Sequence, residues 1–400
     1  MADGLTVEDL ADRAGAAPDD VRRLVELGIV LPPEEGDPWR EGDVRRVRLA
    51  MACEAAGLSL EAIGRAVRDG KLSFAFLDLA GFRWAERLDR TYRDLAAEFG
   101  LPVELLLAMY EAVGMAPPAP DERAREDDLE LLPIIAAARA LGLEDSVLLG
   151  TLRVYGESLR RIAEAETAVY HTHIEMPLLR SGLGERQMME RATEIGSGMV
   201  PLLDRALLAT YRRQQEHAWT ADLIEHVESA LEEAGLHHRL STPPAMCFLD
   251  LTGYTRLTEE RGDHAAFELA DRLAGLVQHV SQRHGGRPVK WLGDGVMFHF
   301  REPAGGVRAA LEMVERTAAA ELPPAHVGMD AGPVVFQNGD YFGRTVNLAS
   351  RIAGVAEPGQ VLVTRGVREA TADGVTFRSI GPLSLKGVAR PIELFEARPA

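Results

Sequence analysis

Ala245-Met-Cys-Phe-Leu-Asp-Leu-Thr-Gly-Tyr-Thr255 and, further on, Val289-Lys-Trp-Leu-Gly-Asp-Gly-Val-Met-Phe-His-Phe300 decide how the last part of this chain folds. The first stretch is an apolar run of strand length, Ala245 to Leu251, closed by polar and glycine residues. In the second, Val289–Leu292 and Val296–Phe300 flank Gly293-Asp294-Gly295, and Gly and Asp supply the backbone conformations of a tight turn. A helix is predicted over 263–284, between the strand and this hairpin. Beyond it come a helix from about 304 to 320, strands at 326–330 and 333–337, a helix over 345–355, and strands at 360–364 and 392–396. This alternation implies an antiparallel-rich sheet with helices on a face, an α+β domain.

Two acids stand out by position. Asp250 ends the apolar strand and Asp294 sits at the hairpin tip. A carboxylate there is costly unless it faces water, a cation or a partner. Either acid alone is equally a turn residue, but two converging from neighbouring strands would hold hard cations through oxygen ligands.

Four motifs follow in order: Phe248-x-Asp250-Leu-x-Gly-Tyr-Thr255, Lys290-x-x-Gly-Asp294, Asp340-Tyr-Phe-Gly343-x-x-Val-Asn347-x-Ala-Ser-Arg351 and Leu385-Lys386-Gly387. Together they resemble the catalytic domain of class III nucleotidyl cyclases over residues 245–397, whose fold is ferredoxin-like (βαββαβ). The resemblance implies that Asp250, Asp294 and the backbone carbonyl of Leu251 coordinate two Mg²⁺ or Mn²⁺ ions. It assigns Asn347 to the ribose, Arg351 to charge developing on the α-phosphoryl group, and Lys386 to the triphosphate. It also gives base recognition to Lys290 and Asp340. A pure donor and a pure acceptor match adenine, with its acceptor N1 and donor 6-amino group, whereas guanine reverses both. In the family the metal acids come from one protomer and the base-reading and transition-state residues from its mate. A chain carrying the full set is therefore expected to form a head-to-tail homodimer and to convert ATP to cyclic AMP and pyrophosphate.

Upstream the pattern is helical. Residues 1–72 read as short helices: Thr6 with Asp9 forms a capping-box start and Pro18 opens a second helix. This head resembles the helix-turn-helix of MerR-type regulators. Yet residues 1–70 hold fifteen acids against nine bases, and the helix that would read DNA begins Pro18-Asp19-Asp20. A DNA reader normally carries a basic footprint, so a packing or dimerisation module is the favoured reading. Helical spacing near 3.6 recurs over 88–99, 102–113, 129–141, 146–174, 185–199 and 202–234. Met115-Ala-Pro-Pro-Ala-Pro120 reads as a hinge. Ala96 to Leu106, Arg153 to Leu159 and Met199 to Leu203 resemble the regulatory domain of soluble actinobacterial cyclases, in which a helical dimer restrains the catalytic halves in a pH-responsive way. The expected organisation is a head (1–72), a regulatory domain (85–200), a transmitting helix with linker (201–240) and a catalytic domain (241–400). Phe76-Leu-Asp-Leu-Ala-Gly-Phe82 nearly repeats the first motif but lacks the partners that should follow, and is read as coincidence.

Composition sets the outer bounds. The chain has 400 residues and a formal net charge of -18. That balance argues against nucleic-acid or anionic-membrane binding. Two cysteines, Cys53 and Cys247, make neither a disulfide framework nor a metal spacing. No apolar run spans a bilayer and no secretory leader is evident, so a cytoplasmic location is expected. Two other readings stay open: a DNA-binding or nucleotide-sensing regulator with a silent cyclase domain, and a guanylyl cyclase. The helical region's Leu, Met and Ala side chains read as bundle core, with an apolar ligand as the alternative.

Overall fold

The computed structural model describes residues 5–33, 39, 41–78, 85, 87–236, 243–371 and 374–400. Two compact units divide the chain, residues 1–227 and 228–400.

In the first unit, the head builds one core from Leu10, Val21, Leu24, Ile29, Val44, Val47, Leu60 and Ile63. The capping box is present, with Asp9 N–H donating to Thr6 Oγ1 at 3.1 Å and Thr6 N–H to Asp9 Oδ2 at 2.9 Å. Pro18 is the first residue of the helix Pro18–Glu26. The acidic loop 34–37 lies outside the described residues, as do residues 79–82 of the near-repeat, whose first three residues fall in the 3₁₀ turn Ala75–Asp78.

The helical middle departs from its pattern at three places. Residues 88–91 are not helical: β1 (Arg87–Thr91) pairs antiparallel with β2 (Arg123–Arg125), and the helix begins only at Tyr92, capped by Thr91. The predicted hinge at 115–120 is the return of that ribbon. Arg93 N–H donates to Pro120 O, and one core takes Tyr92, Leu95 and Leu105 from before the linker with Leu132, Ile135 and Leu148 from after it. Finally, the two helices expected at 185–199 and 202–234 are one 49-residue helix, Glu185–Glu233, that runs through Pro201. Its start is tied to the head. Arg46, with a fully buried side chain, reaches Glu185 Oε1 at 3.3 Å, Phe74 N–H donates to the same oxygen, and Ala75 packs on Met188 and Ala192. Among the described residues no helix is long and apolar enough to cross a membrane.

The second unit is a seven-stranded sheet. Its strands are β3 (Ala245–Leu251), β4 (Gly286–Leu292), β5 (Gly295–Phe300), β6 (Ala325–Ala331), β9 (Val361–Thr364), β10 (Val375–Leu383) and β11 (Ile392–Pro399), in the order β10-β11-β9-β6-β3-β5-β4. A separate ribbon pairs β7 (Val335–Gln337) with β8 (Asp340–Phe342). With the helices Asp263–Arg283 and Pro303–Ala319, strands β3 to β6 form the βαββαβ unit, antiparallel throughout; β9 joins β6 in parallel. This is the expected α+β, ferredoxin-like fold.

The two-residue period sorts the central strand. Ala245, Cys247, Leu249 and Leu251 enter the main core, while Met246 and Phe248 face a second core under the helix Arg344–Ala353. Being covered on both sides, β3 reads as a continuous apolar run rather than an alternating one.

Candidate active site

Asp250 continues the face of Met246 and Phe248 to the end of β3, where its side chain is 47% exposed. The hairpin tip brings Asp294 alongside. Gly295, the residue after it, could not carry a side chain there without crowding: a Cβ would lie 3.1 Å from Leu249 O and 3.2 Å from Asp250 Oδ1. Burial pushes the Asp294 carboxyl above the usual carboxylate range, and the neighbouring Asp250 charge adds to the shift. His326, in register with Asp250 on β6, holds Nε2 at 3.7 Å from Asp250 Oδ2 and Nδ1 at 3.1 Å from Thr252 Oγ1. Two carboxylates pressed together beside the carbonyl-bearing end of β3 at Leu251 are an anionic, all-oxygen donor set. Such a set fits a hard divalent cation.

Lys290 and Asp340 meet within the same chain. Lys290 lies on β4 and donates from Nζ to Asp340 Oδ2 at 2.5 Å; Asp340 Oδ1 accepts from Tyr341 N–H at 2.8 Å. Asp340 opens β8, just after the turn Asn338-Gly339, whose φ values of 51° and 76° make the two-residue hairpin that this dipeptide favours.

The helix Arg344–Ala353 carries Asn347 and Arg351, four residues apart and so on one face. Its opposite face buries Thr345, Val346, Leu348, Ala349 and Ile352. Gly328 on β6 sets how deep the helix sits, because a Cβ at that residue would lie 2.0 Å from Ala353 N. Asn347 and Arg351 are both exposed, and their side chains make no hydrogen bond or ion pair with other described residues. Lys386 is exposed in the loop between β10 and β11, next to Leu385, which packs with Leu348 and Ile352 of the same helix.

The predicted residues thus fall into Asp250 with Asp294, Lys290 with Asp340, and Asn347 with Arg351 on one helix face, while Lys386 stands on the loop beside Leu385. Among the described residues, no hydrogen bond or ion pair joins one set to another. Sequence reasoning missed His326, which faces Asp250, and the side chains that hold Tyr341. For His326 the only signal was its place opposite Asp250, which needs the strand register to be seen.

Comparison with known proteins identifies the family. Residues 41–214 match the adenylate cyclase regulatory domain, and residues 240–395 match the adenylate and guanylate cyclase catalytic domain. A Mycobacterium tuberculosis protein named only as uncharacterized is 30% identical over 366 residues, covering 88% of this chain and 90% of that protein. A pH-sensitive adenylate cyclase of the same species is 32% identical over 333 residues, covering 78% and 79%. The adenylate cyclase of Glutamicibacter nicotianae is 26% identical over 361 residues, covering 88% and 86%. By these matches, in the same order along the chain, the protein belongs to the class III adenylate cyclases that carry an adenylate cyclase regulatory domain ahead of the catalytic one.

Proposed function

We propose that the protein converts ATP to 3′,5′-cyclic AMP and pyrophosphate at sites shared between the catalytic units of a head-to-tail homodimer. The observation that carries this reading is the division of the site residues into separate sets, with Asn347 and Arg351 left open on the surface of the single chain. Asp250, Asp294 and the Leu251 carbonyl of one protomer would hold two Mg²⁺ or Mn²⁺ ions. Bound there, the cations supply activation of the ribose 3′-hydroxyl and neutralisation of the triphosphate. Lys290 and Asp340 of the mate orient the adenine through its N1 and 6-amino group. Asn347 orients the ribose and Lys386 the terminal phosphates. The 3′-oxygen attacks the α-phosphorus, the bond to the bridging oxygen breaks, and the hydroxyl proton leaves to water. Arg351 stabilises the charge that builds on the α-phosphoryl oxygens.

The pairing Lys290–Asp340 favours ATP over GTP. The head's bases argue against DNA as the target: Arg22 is paired with Glu8 and Asp19, and Arg23 with Glu54 and Glu61. Regulation is assigned to the helical unit, because the helix Glu185–Glu233 starts in its core and ends shortly before β3. An apolar effector has a fitting place in that unit, a cavity of about 910 Å³ lined by residues such as Met109, Leu131, Leu152 and Tyr155.

Complementary variants test the shared site. Asp294→Asn and Arg351→Ala chains should each be inactive or nearly so with ATP and Mn²⁺. Mixed in equal amounts, half the dimers pair one of each and carry one intact site, so about a quarter of the wild-type rate returns. Mixed dimers that stay inactive would refute the two-protomer site.

A further inference from the structure

Arg287 on β4 and His299 on β5 face one another in strand register, and both hold Tyr341, the residue after Asp340. Arg287 donates from Nη2 to Tyr341 Oη at 2.8 Å, and its guanidinium stands 5.7 Å from the Tyr341 ring centroid and 5.8 Å from that of Phe336. Tyr341 is also stacked by His299, with centroids 4.6 Å apart and planes 7° from parallel. Phe336 packs at 4.9 Å. Tyr341 is 8% exposed, whereas Phe336 beside it is 57% exposed. Burial, helped by the Arg287 charge, holds the His299 imidazole down at about 4, so at neutral pH it stacks as an uncharged ring beside the guanidinium.

The ribbon β7–β8 needs such an anchor. Its strands are three residues long and pair only with each other, and an isolated two-stranded hairpin is marginal in water. Tyr341 is its buried side chain, and through the bond from Tyr341 N–H to Asp340 Oδ1 the tyrosine also fixes the rotamer of the aspartate that meets Lys290. Lys290 is on the same strand as Arg287. One strand therefore carries both a base-reading residue and the group that clamps the other reader's ribbon.

We propose that Arg287, His299 and Tyr341 are positioning residues for base recognition, which set the distance between Asp340 and Lys290 and with it the preference for adenine over guanine. The proposal rests on the reading of Lys290 and Asp340 as the base-reading pair. A site built to bond its substrate discriminates only while its donors and acceptors are held in place, so a loosened ribbon should cost selectivity before it costs the chemistry.

The test uses the full chain with Mn²⁺ and measures kcat and KM for ATP and for GTP, with melting temperature alongside. Tyr341→Phe keeps the ring and removes the hydroxyl; Arg287→Met removes the clamp from an exposed residue; Arg287→Lys restores a donor. Tyr341→Phe and Arg287→Met should lower the ATP-to-GTP ratio of kcat/KM by about tenfold, mainly through a higher KM for ATP, and Arg287→Lys should retain more of the ratio than Arg287→Met. An unchanged ratio in variants that melt like the wild type overturns the proposal, as does an equal loss of kcat on both nucleotides. Lys290→Ala separates the two levels. If it shifts the ratio while Tyr341→Phe does not, the base-reading pair stands and the clamp falls. If the wild type itself does not distinguish ATP from GTP, the base-reading assignment fails.

Discussion

At the residue scale, the site depends on side chains that β3, its hairpin neighbour and one short helix cannot place elsewhere. Arg351 shows this. Its side chain has no bond partner among the described residues, it shares a helix face with Asn347, and the buried side of that helix is seated on Gly328. A group that waits unpaired for charge to develop contributes to the transition state more than to the ground state. Arg351→Ala is expected to lower kcat by about 10²–10³-fold with little change in KM for ATP, read from steady-state rates at saturating Mn²⁺. A rise in KM at constant kcat would instead make it a ground-state binding residue. Most of this candidate site is legible in the sequence, because Asp250, Lys290, Asp294, Asp340, Asn347, Arg351 and Lys386 belong to ordered motifs. Arg287, His299 and Tyr341 could not be linked in that way. Their relation is a cross-strand register plus a ribbon folding back, and no linear spacing encodes it.

At the element scale, periodicity worked where an element has one buried face or is buried throughout, and failed where short elements imitate longer ones. Residues 88–91 continue the apolar spacing of the helix after them, yet Thr91 with Asp94 is a helix start, and the cap rather than the spacing marks the boundary. Asn338-Gly339 is a hairpin signal, and it sets the start of β8 at Asp340. Pro201 was a plausible break, but a proline removes one helical hydrogen bond without ending a helix whose neighbouring turns hold. The helices Asp263–Arg283 and Pro303–Ala319 are joined by a charged cluster. Glu312, on the second, bonds His284 Nε2 at 2.8 Å and Arg283 Nη1 at 3.1 Å, and lies 3.0 Å from Arg316 Nη2. These partners, His284 first, hold its carboxyl below the usual glutamate range. A depressed carboxylate contributes stability that is present above its unfolded-state pKa and is lost as pH falls through the folded one. Glu312→Gln should therefore cost about 1 kcal/mol near pH 7, because solvent screens its exposed arginine partners, and close to nothing in acid, measured by denaturant unfolding of the full chain at both pH values. A cost that does not change with pH would mean the side chain acts by packing alone.

At the scale of the whole molecule, the head and the long helix share one buried ion pair. Arg46 and Glu185 come from residues far apart in sequence, and Phe74 N–H donates to the same carboxylate. Breaking a buried pair from one side leaves an uncompensated charge, which costs about 3–5 kcal/mol. Arg46→Met should lower the melting of the first unit by that order. Adding Glu185→Gln, which removes the stranded charge but keeps an acceptor for Phe74, should recover part of the loss, as a double-mutant cycle by calorimetry would show. Additive losses would mean that the two side chains do not depend on each other. The pair also bears on descent. A recombination event that exchanged the head for another module would have to supply a cation opposite residue 185 or replace the acid in the same step. Lineages of this protein should therefore inherit the head and the long helix as a single block, and shuffling should be tolerated only at joints that leave that block whole.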